Sequence, residues 1–171
     1  RGIGKGFNFM RNYGGGDRKA AEMLDITLDQ AKAMNRGYTD AFPVVIQYQK
    51  GTEASMRKYG YVANMYGRRY YVNNPNRFYT VANYLIQGTC ADDLKEKMIK
   101  IHKFIKENNL KMRMVLCVHD EIQFSAPDPS EDWAIWEIKK IMEHTPKIQV
   151  PIVADVEFTD TYWSEKEVVL K

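Results

Sequence analysis

The chain has 171 residues, 25 Lys and Arg against 22 Asp and Glu (net +3), and 44% hydrophobic residues. That length holds one or at most two small domains, and the apolar content is enough to bury a core. The mild basic excess permits a nucleic-acid partner but falls well short of an RNA-binding tail; there is no membrane-length apolar run and no signal-peptide pattern.

In chain order, residues 1–12 are predicted as a helix, because Tyr13-Gly-Gly-Gly16 must stop one. Asp17 is placed to cap a short helix reaching Leu24. Thr27-Leu-Asp-Gln30 is a capping-box pattern that opens a helix to about Ala41. Pro43 suits the first turn of a further helix, to about Lys58. Residues 61–72 read as a hairpin and 77–108 as a long helix. Strands are expected near 112–118 and 121–126, the first with Cys117 in a central position. Asp128-Pro-Ser-Glu131 should cap a helix over 129–144 with Ile135, Ile138 and Met142 on one face. Strand structure is expected over 152–158. The nine Met residues read as core filler. Cys90 and Cys117 do not read as a structural disulfide, and two cysteines suit a reducing compartment. His102, His119 and His144 share no zinc-ligand spacing.

Two segments carry chemistry. Steps of four residues advance about 40° round a helix, so Arg1, Lys5, Phe9 and Tyr13 form one slowly winding stripe. Two cations at i and i+4 can grip one polyanion, Arg as a fork and Lys as a point charge. Phe9 and Tyr13 add flat surfaces for stacking on a sugar or base. The alternative is a basic amphipathic helix on a solvated surface. A hundred residues on, the strand-like Met114-Val-Leu-Cys-Val118 delivers His119-Asp120-Glu121. Three ionisable residues interrupting such a run mark a turn or a site. Asp120 and Glu121 are hard oxygen ligands suited to Mg²⁺, which keeps waters and substrate phosphates beside one or two carboxylates; a polar hairpin tip without a ligand is the alternative. Asn83 and Gln87, at i and i+4, can hydrogen-bond base edges or simply be a polar helix face. Asp92 and Asp93 read as solvated or capping charges.

The combination resembles the family A DNA polymerases, the DNA polymerase I type. Arg1-Gly-Ile-Gly-Lys5-Gly-Phe-Asn-Phe9-Met-Arg-Asn-Tyr13-Gly14 resembles that family's motif B, R-x3-K-x3-F-x3-Y-G. Phe42-Pro43, Tyr59-Gly-Tyr-Val62 and Gly67-Arg-Arg-Tyr-Tyr71 are similar to its F/Y-P, G-Y-V and G-R-R-x-Y segments. Asn83-x3-Gln87-Gly-Thr-x-Ala91-Asp92 resembles its N-x3-Q-G-T-x-A-D helix, and Val118-His-Asp-Glu121 its motif C. Val150-Pro-Ile-Val153 and Trp163 match its closing strand. The likeness covers essentially the whole chain. It departs in three places: the run begins at motif B, without the motif A Asp or a thumb; Tyr79 stands where an Arg is expected, with Arg77 two residues earlier; and Gly14-Gly-Gly16 is richer in glycine than the bacterial pattern, which hints at a phage-like branch.

The resemblance implies an α+β fold: helical fingers over 1–76, then the C-terminal part of a polymerase palm over 77–171, with antiparallel strands and packed helices. It implies template-directed transfer of a deoxynucleoside monophosphate to a primer 3′-hydroxyl with two Mg²⁺ ions. Asp120 is then the metal ligand, with Glu121 auxiliary. Arg1 and Lys5 bind the triphosphate, Lys5 also as candidate general acid. Phe9 and Tyr13 shape the sugar and base pocket. His119 meets the primer's terminal phosphate, while Asn83 and Gln87, with Arg77, face the primer–template. In the minor groove both pair types present acceptors, so pair geometry can be checked without reading sequence. The implied partners are primer–template DNA, a dNTP and an upstream polymerase segment with motif A and thumb, in the cytoplasm of a bacterium or phage-infected cell. Two rivals are a phage-type single-subunit RNA polymerase, whose motif C reads H-D-S, and a non-catalytic primer–template or partner-binding module.

Overall fold

In the computed structural model, which describes residues 2–126 and 132–170, helix α1 (Gly2–Asn12) ends where the glycines begin. Gly14 takes φ +77. Its N–H reaches the Arg11 carbonyl at 3.1 Å and the Gly15 N–H reaches the Met10 carbonyl at 2.9 Å. These are the two bonds of a Schellman motif, which needs a left-handed residue at this point. A Cβ on Gly14 would also lie 2.1 Å from the Tyr79 ring. Gly14→Ala should therefore cost about 1–2 kcal/mol for the left-handed backbone alone, and more if the ring cannot step aside. Urea unfolding checks this: the midpoint should fall with the slope unchanged.

Helix α2 (Asp17–Leu24) is not capped by Asp17. Gly16 holds the N-cap position, and Asp17, already in the first turn, accepts a hydrogen bond from the buried Asn35 amide. Helix α3 (Leu28–Ala41) does open on the capping box: the Thr27 hydroxyl accepts from the Gln30 N–H at 3.3 Å, and Gln30 Oε1 accepts from the Thr27 N–H at 3.0 Å. Pro43 starts helix α4 (Pro43–Tyr59), which ends on Gly60 at φ +75. Strands β1 (Val62–Ala63) and β2 (Arg69–Tyr70) form a small antiparallel hairpin. The Asn64 side-chain oxygen closes its loop by accepting from the Tyr66 and Arg68 N–H groups, each at 3.0 Å.

The long helix begins later than the sequence suggests. Residues Pro75–Thr80 are a 3₁₀ segment, and α5 runs over Val81–Glu107. Asn74 caps this entry by accepting from the Asn76 N–H at 3.0 Å, and a tight 3₁₀ turn at the start of an α-helix is common. Strands β3 (Arg113–Val118) and β4 (Glu121–Ser125) form an antiparallel hairpin with a bulge between Met114 and Leu116. Cys117 is exposed on this two-stranded ladder rather than central in a sheet. Helix α6 covers Asp132–Glu143; its expected cap at 128–131 lies outside the described residues. Strand β5 is confined to Val156–Phe158 and pairs with β6 (Glu167–Leu170). Residues 152–155 are not strand, and Ala154 among them has its backbone polar groups committed to α6. The Ala154 N–H reaches Glu143 Oε1 at 3.1 Å, and its carbonyl accepts from the buried Lys139 ammonium.

The chain divides into two compact units, Arg1–Thr89 and Cys90–Lys171. In the first, Phe7, Ala20, Ala31 and Tyr38 form one apolar cluster, and Met56, Val62, Phe78, Val81 and Leu85 form another. In the second, Ile101, Ile105, Met112 and Ile138 are the core, with Ile135 and Met142 packed on it as the α6 periodicity predicts. Asp92 and Asp93 are not solvated: both are buried, and Asp93 pairs with the buried Lys97 at 2.6 Å. Their i, i+4 spacing is the local trace of that pair. The architecture is α+β. Among the described residues no helix is long and apolar enough to cross a membrane.

Candidate active site

Burial of one face decides what the opposite face of α1 offers. Phe7 is buried edge-on against Tyr38, with ring centroids 5.9 Å apart. Tyr38 also donates to Asn8 Oδ1 at 2.8 Å, and the Arg11 guanidinium lies 5.6 Å from its ring. Lys5, Phe9 and Tyr13 are left exposed on the other side, with the Lys5 ammonium 5.7 Å from the Phe9 ring centroid. This is the stripe the four-residue spacing predicts. Arg1, its first member, lies outside the described residues.

The structure joins two residues that the sequence keeps apart. The Gln87 amide on α5 donates to the Tyr13 hydroxyl at 2.6 Å. The Tyr79 ring meets Gly14, the next residue and just past the end of α1, so the position where an Arg is expected instead braces the end of that helix. Arg77 is exposed in the 3₁₀ segment, and Asn83 is half-buried one helical turn before Gln87. Gly88, next to Gln87, lets Tyr70 approach: a Cβ there would sit 1.7 Å from the Tyr70 hydroxyl.

In the second unit, His119 and Asp120 form the two-residue turn between Val118 and Glu121, which pair across the ladder. His119 takes φ +53. A non-glycine residue held in the left-handed region costs roughly 1–3 kcal/mol, and such outliers concentrate at functional sites. Asp120 is exposed at the tip. Glu121 is not: its Oε1 accepts from Trp163 Nε1 at 2.8 Å and from Gln123 Nε2 at 3.2 Å, and its Oε2 from Lys166 Nζ at 3.1 Å. Burial pushes the Glu121 carboxyl up, but the bonds from Trp163, Lys166 and Gln123 outweigh it and hold the carboxyl below its ordinary range. Lys166 reaches on to Glu157 at 2.6 Å. Bonds to Glu157 and then to Glu121 raise the pKa of its ammonium.

Gln123, Trp163 and Lys166 are thus site neighbours that residue patterns do not reveal, apart from the placing of Trp163 in the closing segment. Among the described residues no group of three His, Cys, Asp or Glu side chains could hold a metal. What the hairpin offers is one exposed carboxylate, which fits a Mg²⁺ ion that takes its other ligands from substrate phosphates, water and a further carboxylate.

The family model for DNA polymerase family A matches residues 1–165. The chain is 33% identical to the DNA polymerase I of Caldicellulosiruptor bescii, over 89% of this chain and 19% of that protein. It is 34% identical to the DNA polymerase of Mycobacterium phage D29, over 81% of this chain and 22% of the relative. It therefore spans about a fifth of the length of these relatives. A solved structure, the POL domain of Pol1 from M. smegmatis in complex with DNA primer-template and dNTP, matches at TM-score 0.78 and 28% identity, over 87% of this chain and 28% of that one.

Proposed function

The chain belongs to DNA polymerase family A, and from that premise we propose that it is the fingers (1–76) and C-terminal palm (77–171) portion of a polymerase that adds deoxynucleotides to a primer 3′-hydroxyl on a template. One observation carries the reading: a hairpin turn with His119 in the left-handed region presents Asp120 to solvent while both oxygens of its neighbour Glu121 accept hydrogen bonds from the protein.

The residues then take the following parts. Lys5, with Arg1, binds the triphosphate and offsets the charge that develops on the leaving pyrophosphate; Lys5 is also the candidate general acid toward it. Phe9 and Tyr13 flank the sugar and base of the incoming nucleotide. His119 meets the terminal primer phosphate. Asn83 and Gln87, with Arg77 nearby, contact primer–template DNA from α5 and its 3₁₀ entry. Asp120 holds Mg²⁺, which when bound supplies charge stabilisation to the attacking and leaving oxygens. Closure of α1 on a correct nucleotide completes the arrangement, and release of Tyr13 from Gln87 is a natural part of that movement. The setting is the cytoplasm of a bacterium or a phage-infected cell.

One carboxylate cannot organise two metals. The isolated 171-residue chain should therefore bind primed DNA without extending it, and adding a segment with the second metal-binding Asp and a thumb should restore Mg²⁺-dependent extension with deoxynucleotides. Robust extension by the isolated chain, or unprimed synthesis from ribonucleotides by the combined protein, would overturn the proposal. Binding without synthesis by the combined protein would favour a non-catalytic module.

A further inference from the structure

Glu121 directly follows the residue proposed to hold metal, yet both its carboxylate oxygens already accept hydrogen bonds from the protein. A carboxylate has about four lone-pair sites, and three N–H donors occupy this one. One donor is an ammonium 3.1 Å away, a poor neighbour for a divalent cation seeking the same oxygens. Two of the donors come from distant chain: Trp163 opens a 3₁₀ turn, and Lys166 follows it and bridges to Glu157 on β5 at 2.6 Å. The Lys166 ammonium also lies 5.1 Å from the Trp163 ring. These contacts meet on the residue that closes the hairpin, opposite Val118 and next to the turn.

We propose that Trp163 and Lys166 are positioning residues for catalysis: by holding both oxygens of Glu121 they fix the β3–β4 turn and leave Asp120 as the only carboxylate of the pair free to take metal. The inference rests on the polymerase reading above. The two-residue turn carries His119 in the left-handed region, a conformation that holds only while Val118 and Glu121 stay paired across it. A clamp on the adjacent closing residue keeps the turn from relaxing and Asp120 from swinging. Glu121 acts here as an anchor and touches no substrate.

The test uses the polymerase that contains this chain and measures single-nucleotide incorporation under saturating primer–template. Lys166→Met should slow incorporation at least about ten-fold, with KM for dNTP and primer–template affinity within about two-fold of wild type. Lys166→Arg should restore most of the rate, because the guanidinium still bonds the carboxylate. In a Glu121→Gln background, Lys166→Met should add less than about two-fold, as expected for residues acting through one another. If Lys166→Met does not fold, Trp163→Phe keeps an aromatic side chain but lacks the N–H donor, and should show the same rate loss in smaller measure.

An unchanged rate in the folded variants would overturn the clamp, as would losses that add fully to those of Glu121→Gln. So would a Glu121→Gln enzyme whose main defect is a raised Mg²⁺ requirement, since that would make Glu121 a ligand. A wild-type polymerase that extends primers while these variants match it refutes the clamp alone; a wild type that fails to extend primers refutes the underlying function.

Discussion

Phe9→Tyr is expected to relax discrimination against dideoxynucleotides by one to two orders of magnitude while leaving deoxynucleotide incorporation nearly unchanged. Phe9 stands half-exposed on the free face of α1, one turn beyond Lys5, whose ammonium lies 5.7 Å from the ring. A ligand gripped through its phosphates by Lys5 would set its sugar against that ring. Phe offers no hydroxyl there, so the proposed site relies on the nucleotide's own 3′-hydroxyl to bond the phosphate group. A dideoxynucleotide leaves a polar group poorly satisfied, which costs about 1–3 kcal/mol, or roughly ten-fold per 1.4 kcal/mol. A phenolic hydroxyl would fill the gap. The check is the ratio of kcat/KM for the two nucleotides in both enzymes. An unchanged ratio would mean that Phe9 does not face the sugar and that the stripe on α1 has another use.

Much of this geometry is legible residue by residue. Gly14 can be read as a helix stop because only a left-handed residue closes a Schellman motif, and Thr27 and Gln30 carry their capping box in their spacing. The free face of α1 follows from the four-residue period, since Phe7 falls opposite Lys5 and is the one that is buried. The β3–β4 turn is marked by polar residues breaking an apolar run.

What stays hidden is long-range or depends on backbone bonds spent elsewhere. Trp163 and Lys166 reach Glu121 across 42 and 45 residues of chain, and no local pattern encodes that meeting. Glu121 therefore reads from sequence as a second free carboxylate, whereas its oxygens are engaged. Residues 152–155 look like strand by composition, but Ala154 spends its N–H and carbonyl on Glu143 and Lys139. Asp92 and Asp93 look solvated because charge is the default sign of exposure; burial with Lys97 reverses it for Asp93. Tyr79 departs from the family pattern and finds its use against Gly14, a contact visible only once α1 and the 3₁₀ segment are in place.

The most direct test of the account is Asp120→Ala in the polymerase that contains this chain, with primer extension and primer–template affinity measured side by side. Asp120 is exposed at the tip of a hairpin whose closing residue is already clamped, so its loss should leave the fold intact. Phosphate contacts elsewhere carry the affinity for DNA, while a metal-held contact supplies several kcal/mol to the transition state. Extension is expected to be abolished and affinity largely retained. If Asp120→Ala kept more than about a tenth of wild-type turnover, an effect of roughly 1.4 kcal/mol or less, Asp120 would not be the metal ligand and the proposed site would be wrong.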